Sequence, residues 1–161
     1  MAHFTLVHVA ISLIGILSGF VALRGLIGNR LYPSWTRWFL ATTFLTSATG
    51  FFFPNLHFTP AVKVGILSLV LLAVACFALY GRRLAGGWRR AFVITATLSL
   101  YLNTFVLVAQ LFQKVPALHT LAPTGSEPPF AIAQGALLFT FIILGVLAFR
   151  RFRDTPSPAA P

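Results

Sequence analysis

The chain has 161 residues, of which 58% are hydrophobic and only 9% are charged, and its net charge is +10. A soluble domain carries about 25% charged residues, so the composition excludes an ordinary soluble protein and predicts an all-α integral membrane protein. We expect one helical bundle over residues 1–153, followed by a disordered polar tail over residues 154–161.

Five apolar segments approach the length needed to cross a membrane. A helix spanning a hydrocarbon layer of about 30 Å needs about 20 mostly apolar residues. The segments lie at residues 4–27, 38–54, 61–81, 91–113 and 130–149. The second segment is the shortest, is rich in hydroxyl groups and stops at Pro54, so it gives the weakest of the five predictions.

The positive charges alternate along the chain as a five-span protein requires. The arginines border the first connection, the third connection and the C-terminus, and they are Arg24, Arg30, Arg37, Arg82, Arg83, Arg89, Arg90, Arg150, Arg151 and Arg153. The second and fourth connections contribute only Lys63 and Lys114. Because cytoplasmic loops are enriched in Arg and Lys, we expect the N-terminus outside and the C-terminus in the cytoplasm. Charges placed beside apolar segments favour contact with the lipid bilayer and not with nucleic acid.

The first two helices carry small side chains suited to close helix packing. In the first helix, a stripe that begins at His8 spans roughly 60° of arc at 100° per residue and contains a Gly-x-x-x-Gly spacing. In the second, hydroxyl residues gather on one side. The predicted packing residues are Ser12, Gly15, Gly19, Thr46 and Gly50.

The fourth helix carries a polar seam. Its members lie within about 100° of arc and are Thr95, Ser99, Asn103, Gln110, Gln113 and Lys114. An amide near the bilayer centre loses its hydrogen bonds in lipid, so Asn103 is expected to face another helix or water. Two interpretations stay open, a hydrogen bond between helices worth about 0.6–2 kcal/mol or a path for a polar solute. Lipid cannot pack closely against the small-residue stripe of the first helix or form hydrogen bonds with the polar seam of the fourth helix. We therefore expect these two helices to be neighbours.

Most of the distinctive polar residues lie between Tyr101 and Gln134. The long loop over residues 115–129 exceeds the usual length of structureless connections and is predicted to be a lid over an outward-facing pocket. The predicted pocket residues are His8, Asn103, Gln110, Gln113, Lys114, His119, Glu127 and Gln134. Gln134 is positioned to meet Gln110, and Lys114 is positioned to pair with Glu127.

Uncharged amides and hydroxyls favour a protein that binds or passes a small polar solute or ion, with transport requiring a homo-oligomer. The alternative is an accessory or scaffold subunit whose seam packs against a larger membrane partner.

Haem or metal binding is a minor alternative, because His8, His57 and His119 come from three segments without a regular ligand spacing. An enzyme is disfavoured, since the chain lacks a Gly-x-Ser-x-Gly motif and its apolar segments carry no acidic residue.

The pattern YLN-FVLV-QLFQKVPALH-LAPT-SEPPF-IAQ, between Tyr101 and Gln134, resembles that of a group of small polytopic bacterial inner-membrane proteins with no assigned activity. The resemblance covers most of the chain in layout, but its specific residues are concentrated in this stretch. It implies a location in the bacterial inner membrane and supplies no mechanism.

Overall fold

The computed structural model describes residues 2–52 and 60–153, and within these ranges its regular structure is entirely helical. The helices are α1 (Ala2–Ile27), α2 (Pro33–Gly50), α3 (Pro60–Cys76), α4 (Trp88–Lys114), α5 (Pro116–His119) and α6 (Pro128–Arg151). A π-helical turn over Phe77–Gly81 continues α3 without a break. The predicted helical membrane bundle is therefore confirmed as a fold class.

Four helical segments are long and apolar enough to span a membrane: His3–Ile27, Val62–Gly81, Trp88–Lys114 and Pro128–Arg151. The protein is accordingly a multi-pass membrane protein. The helix α2 is 18 residues long but is less apolar than these four, because threonine, serine and glycine occupy eight of its positions.

The helices differ from the predicted segments mainly at their ends. Pro33 starts α2 five residues before the predicted position 38, since a proline at the first helical position already has a suitable φ and needs no hydrogen bond for its nitrogen. Pro54, the predicted end of that segment, lies outside the described residues, as do His57 and the tail from Asp154 onward. The predicted loop over residues 115–129 contains the short helix α5.

The bundle is organised around α4. This helix contacts each of the other long helices. Half of the residues in its most apolar stretch are buried, compared with 11% of those in α6. The largest interface joins α1 to α2, which run antiparallel, and α6 packs against both α4 and α1. The predicted contact between the first and fourth helices is confirmed.

The interior of the bundle contains an apolar core and several buried polar side chains. The apolar core lies nearer the arginine-rich end and includes Leu23, Phe39, Leu72, Phe92 and Leu100. Some buried hydroxyls, such as those of Thr36 and Ser99, lie within this level, and a second group lies further from the arginine-rich end and includes Thr42, Thr43, Asn103 and Thr104. The packing therefore places the polar groups near the middle of the bundle, where lipid cannot satisfy them.

Candidate functional site

Three polar side chains converge on Gly15, where α1, α2 and α4 meet. A Cβ atom built on Gly15 would lie 3.1 Å from Thr42 Oγ1, 3.2 Å from Thr43 Oγ1 and 3.3 Å from Asn103 Nδ2. The glycine thus allows two hydroxyls and an amide from different helices to approach one backbone. We call Thr42, Thr43, Thr46 and Asn103 the polar cluster, because Thr46 follows one turn after Thr42 on the same side of α2.

Three polar atoms of the cluster make no hydrogen bond within the described residues: Thr43 Oγ1, Thr46 Oγ1 and Asn103 Nδ2. Asn103 is only 8% exposed and Thr43 only 1%. Other hydroxyls in the bundle behave differently, since Thr42 donates to Trp38 O at 2.6 Å and Ser99 to Thr95 O at 2.8 Å. A buried polar group without a partner costs about 1–3 kcal/mol, so these three atoms are the polar groups of the cluster for which a further hydrogen bond would be favourable.

His8 lies beyond the polar cluster, toward the end of the bundle that carries Lys114. Its Nδ1 atom is 2.8 Å from Thr49 Oγ1, and the Thr49 hydroxyl donates to Leu45 O at 2.6 Å. Because a hydroxyl has one proton to donate, the imidazole donates through Nδ1. Gly50, whose Cβ would lie 3.9 Å from His8 Cε1, leaves room for the ring.

Gln134 joins α6 to α4, but by a different contact from the one expected. Its Nε2 donates to the backbone carbonyl of Phe105 at 3.1 Å and not to Gln110. Its Oε1 is buried and makes no hydrogen bond to any described residue. Gln110 is half-buried on the same stretch of α4. The Gln134 side chain therefore fixes the position of α6 at this depth of the bundle.

Glu127 closes the turn before α6 and does not pair with Lys114. Its carboxylate accepts hydrogen bonds from Thr124 N at 3.0 Å, Thr124 Oγ1 at 2.9 Å and Ser126 N at 3.0 Å. Across residues 2–52 and 60–153, no ion pair joins Glu127 to Lys114. The turn supplies short local donors that a carboxylate reaches without ordering a long lysine side chain, and this explains why the expected pair is absent.

The eight residues predicted to line one pocket are divided by the structure. Asn103 is buried among three helices, His8 lies at the α1–α2 contact, and Gln134 is bonded to α4. Gln113, Lys114 and His119 are exposed. Of the predicted packing residues, Gly15 and Gly19 are buried, whereas Ser12, Thr46 and Gly50 are half-buried. Ser12 donates to His8 O at 2.8 Å.

Thr42 and Thr43 are the two residues of the polar cluster that were not predicted as site residues. A threonine in a membrane helix usually bonds back to a carbonyl one turn earlier, so its presence in α2 signalled little. The useful signal is the combination of several hydroxyls on one side of α2 with a glycine in the packing stripe of α1.

The polar cluster offers neutral donors and acceptors and no carboxylate. Within the described part of the chain, no group of three or more His, Cys, Asp or Glu residues is arranged to hold a metal ion, and His57 falls outside it. Comparisons with protein-family models, curated proteins and solved structures found no match. The chemistry of the site is therefore inferred from its own geometry.

The Glu127 turn gives a prediction of pH dependence. Desolvation raises the pKa of this carboxyl, but the hydrogen bonds from Thr124 and Ser126 outweigh it and lower the pKa from 4.5 to about 2. A depressed folded-state pKa means that the turn is fully stabilised above pH 4.5 and loses this stabilisation as the pH falls through about 2. We expect the amide proton shifts of Thr124 and Ser126 to titrate with a midpoint near pH 2 and to show no such step in Glu127→Gln. A midpoint at 4.5 would show that the carboxylate is not held in the turn.

Proposed function

We propose that this protein crosses the bacterial inner membrane five times, with its N-terminus outside, and binds a small uncharged polar solute at the polar cluster from the outer side. The observation that carries the proposal is the buried Asn103 amide, whose Nδ2 has no hydrogen-bond partner among the described residues. The resemblance to small inner-membrane proteins and the distribution of arginines support the location and the orientation.

The position of α2 beside α1 supports a fifth span. Gly19 packs against Phe39, Gly15 against Thr42, and Gly50 lies near His8, so the two antiparallel helices stay in contact from one level to the next. A helix of 18 residues is about 27 Å long at 1.5 Å per residue, close to the hydrocarbon thickness of about 30 Å. Its modest hydropathy follows from threonines that face α1 and α4 and not lipid.

The chemistry of the polar cluster supports a neutral solute. An ion would require charges or several carbonyl oxygens, whereas the cluster presents two hydroxyls and an amide nitrogen without partners. Uncharged groups of this kind lower the cost of dehydrating a polar molecule without holding it too tightly to leave. His8 and Lys114 lie at the end through which a solute from outside would arrive.

An accessory or scaffold role is the second candidate, and the surface of α6 favours it. The residues Ala131, Gly135, Ala136 and Thr140 are exposed along the half of α6 next to the Glu127 turn, and a Cβ at Gly135 would have no neighbour within 4 Å. Small residues on an exposed membrane helix allow a second helix to approach closely. A larger membrane partner, or a second copy of the chain, would fit this surface.

Thiol labelling tests the proposed site and its orientation together. In a Cys76→Ala background, we expect Thr46→Cys to react from the outer side of intact cells with a small, cationic, membrane-impermeant thiol reagent. The reason is that a site open to a polar solute also admits water and a small reagent. Leu67→Cys, which lies on the exposed apolar surface of α3, is the lipid-facing control and should not react.

Asn29→Cys, in the connection between α1 and α2, is the orientation control and should react only after the cells are permeabilised. If Thr46→Cys reacts no faster than Leu67→Cys, the cluster is closed packing and the solute site is wrong. If Thr46→Cys reacts only from the cytoplasmic side, the proposed orientation is wrong.

A further inference from the structure

A basic cavity lies at the end of the bundle opposite the Glu127 turn. Its volume is about 700 Å³, and it is formed where the start of α4 meets the end of α6. The lining residues are Gly86, Gly87, Arg89, Arg90, Phe149, Arg150, Phe152 and Arg153. We call this cavity the arginine basin. Among the described residues that line it, four are cationic and none is acidic.

The guanidinium groups of the arginine basin are held in place by the bundle. The Arg89 guanidinium lies 5.0 Å from the centre of the Phe152 ring, and that of Arg90 lies 5.6 Å from the centre of the Phe149 ring. Arg89 Nη1 also donates to Arg153 O at 3.4 Å. Aromatic faces attract cations, so these rings help to fix the direction of the two guanidinium groups.

The connection between α1 and α2 holds the C-terminal residues that line the basin. Asn29, with a positive φ of 55°, accepts a hydrogen bond from Arg153 N at 2.9 Å through its Oδ1 atom. Arg153 Nε in turn donates to Arg150 O at 2.7 Å. The end of α6 is therefore tied to a loop from the first helical pair, and the basin is a built feature and not a loose surface.

The backbone at the start of α4 adds to the positive character of the basin. Gly86 and Gly87 precede the first turn of this 27-residue helix, and Cβ atoms at either position would meet nothing within 4 Å. The N–H groups of Trp88, Arg89 and Ala91 already donate to the carbonyls of Ala85, Gly86 and Gly87, so the helix start contributes the positive end of its dipole and an open approach for an anion. Phe149, which is exposed, gives the cavity an apolar wall, as expected where headgroups meet hydrocarbon, whereas Phe152 is buried beneath Arg89.

We propose that the arginine basin binds the phosphate headgroup of an anionic phospholipid, with the lipid chains leaving along the apolar surface of α6. The guanidinium group of arginine can donate two parallel hydrogen bonds to a pair of phosphate oxygens. Basic pockets between membrane helices are suited to anionic headgroups. The apolar wall and the location at the end of membrane-length helices favour a lipid over a free phosphate ion.

Native mass spectrometry of the detergent-purified chain with added phosphatidylglycerol or phosphatidylcholine tests this proposal, and it does not depend on membrane orientation. We expect phosphatidylglycerol to be retained in preference to phosphatidylcholine. Replacing two charges in Arg90→Gln/Arg150→Gln should weaken its binding about 30-fold. The matched control Arg24→Gln/Arg37→Gln removes equal charge from exposed positions that do not line the basin and should change binding less than threefold.

Equal losses in the two double variants would show general charge attraction and would overturn the proposal. Equal retention of the two lipids by the parent protein would do the same. A parallel titration with inorganic phosphate separates the two sources of the anion. If phosphate alone binds with the same dependence on Arg90 and Arg150 and displaces the lipid at equal concentration, the site recognises a soluble anion and the lipid assignment is wrong.

Discussion

The substitution Gly19→Leu is expected to destabilise the bundle by about 1–3 kcal/mol, because it inserts four carbons into a closed contact. A Cβ at Gly19 would already lie 2.5 Å from Leu100 Cδ1 and 2.8 Å from Phe39 Cδ2. Leu100 and Phe39 are themselves almost fully buried, and the cavity that they line together with Gly19 has a volume of only about 10 Å³, too small to accept the added side chain. The free energy of unfolding, measured by titration of the detergent-solubilised protein with SDS, gives the effect directly.

Gly135→Leu is the matched control for this prediction. The same change on α6 meets nothing within 4 Å and removes a glycine from a helix interior, so we expect the unfolding free energy to stay unchanged or to rise by up to about 1 kcal/mol. Equal effects of the two substitutions would show that the close contact of α1 with α2 and α4 is not formed.

The sequence was sufficient to predict the class of fold because hydropathy and helix length are local properties. Four helices were recognisable from their apolar length alone, and the contact of α1 with α4 followed from stripes that lipid cannot satisfy. The start of α2 at Pro33 was missed because the polar residues around it resemble a loop when they are considered without their packing partners.

The site was predictable only in its buried part. Asn103 was identifiable, since a carboxamide inside an apolar segment must face something polar. The loop residues were assigned to the same pocket because they follow Asn103 in the chain, but Glu127 bonds to its own turn and His119 is exposed. Sequence proximity carries no information about which way a long loop folds back. The unpartnered hydroxyl of Thr43 depends on a rotamer and was beyond the reach of pattern analysis.

Asn103→Leu is the second substitution with a large expected effect, and here the effect is on solute binding and not on folding. If the Asn103 amide binds the solute, the substitution to leucine removes a buried nitrogen that makes no hydrogen bond to the described residues. Replacing such a group with an apolar side chain of similar size is neutral or stabilising. If the amide instead joins two helices, its loss should cost about 0.6–2 kcal/mol.

The control for Asn103→Leu is Gln113→Leu, which makes a comparable amide-to-leucine change at an exposed position near the end of the same helix. It should leave both stability and solute access unchanged. In the Asn103→Leu background, the rate at which Thr46→Cys reacts with the cationic thiol reagent should fall about tenfold. The reason is that removing the amide donor makes the site less favourable for water.

The unfolding free energy of Asn103→Leu, measured beside the parent protein and Gln113→Leu in solute-free buffer, tests the central claim most directly. If Asn103 binds the solute, the unfolding free energy of Asn103→Leu should equal or exceed that of the parent protein. A loss of 1 kcal/mol or more in Asn103→Leu, with Gln113→Leu unchanged, would show that Asn103 holds the helices together and would contradict the proposed site.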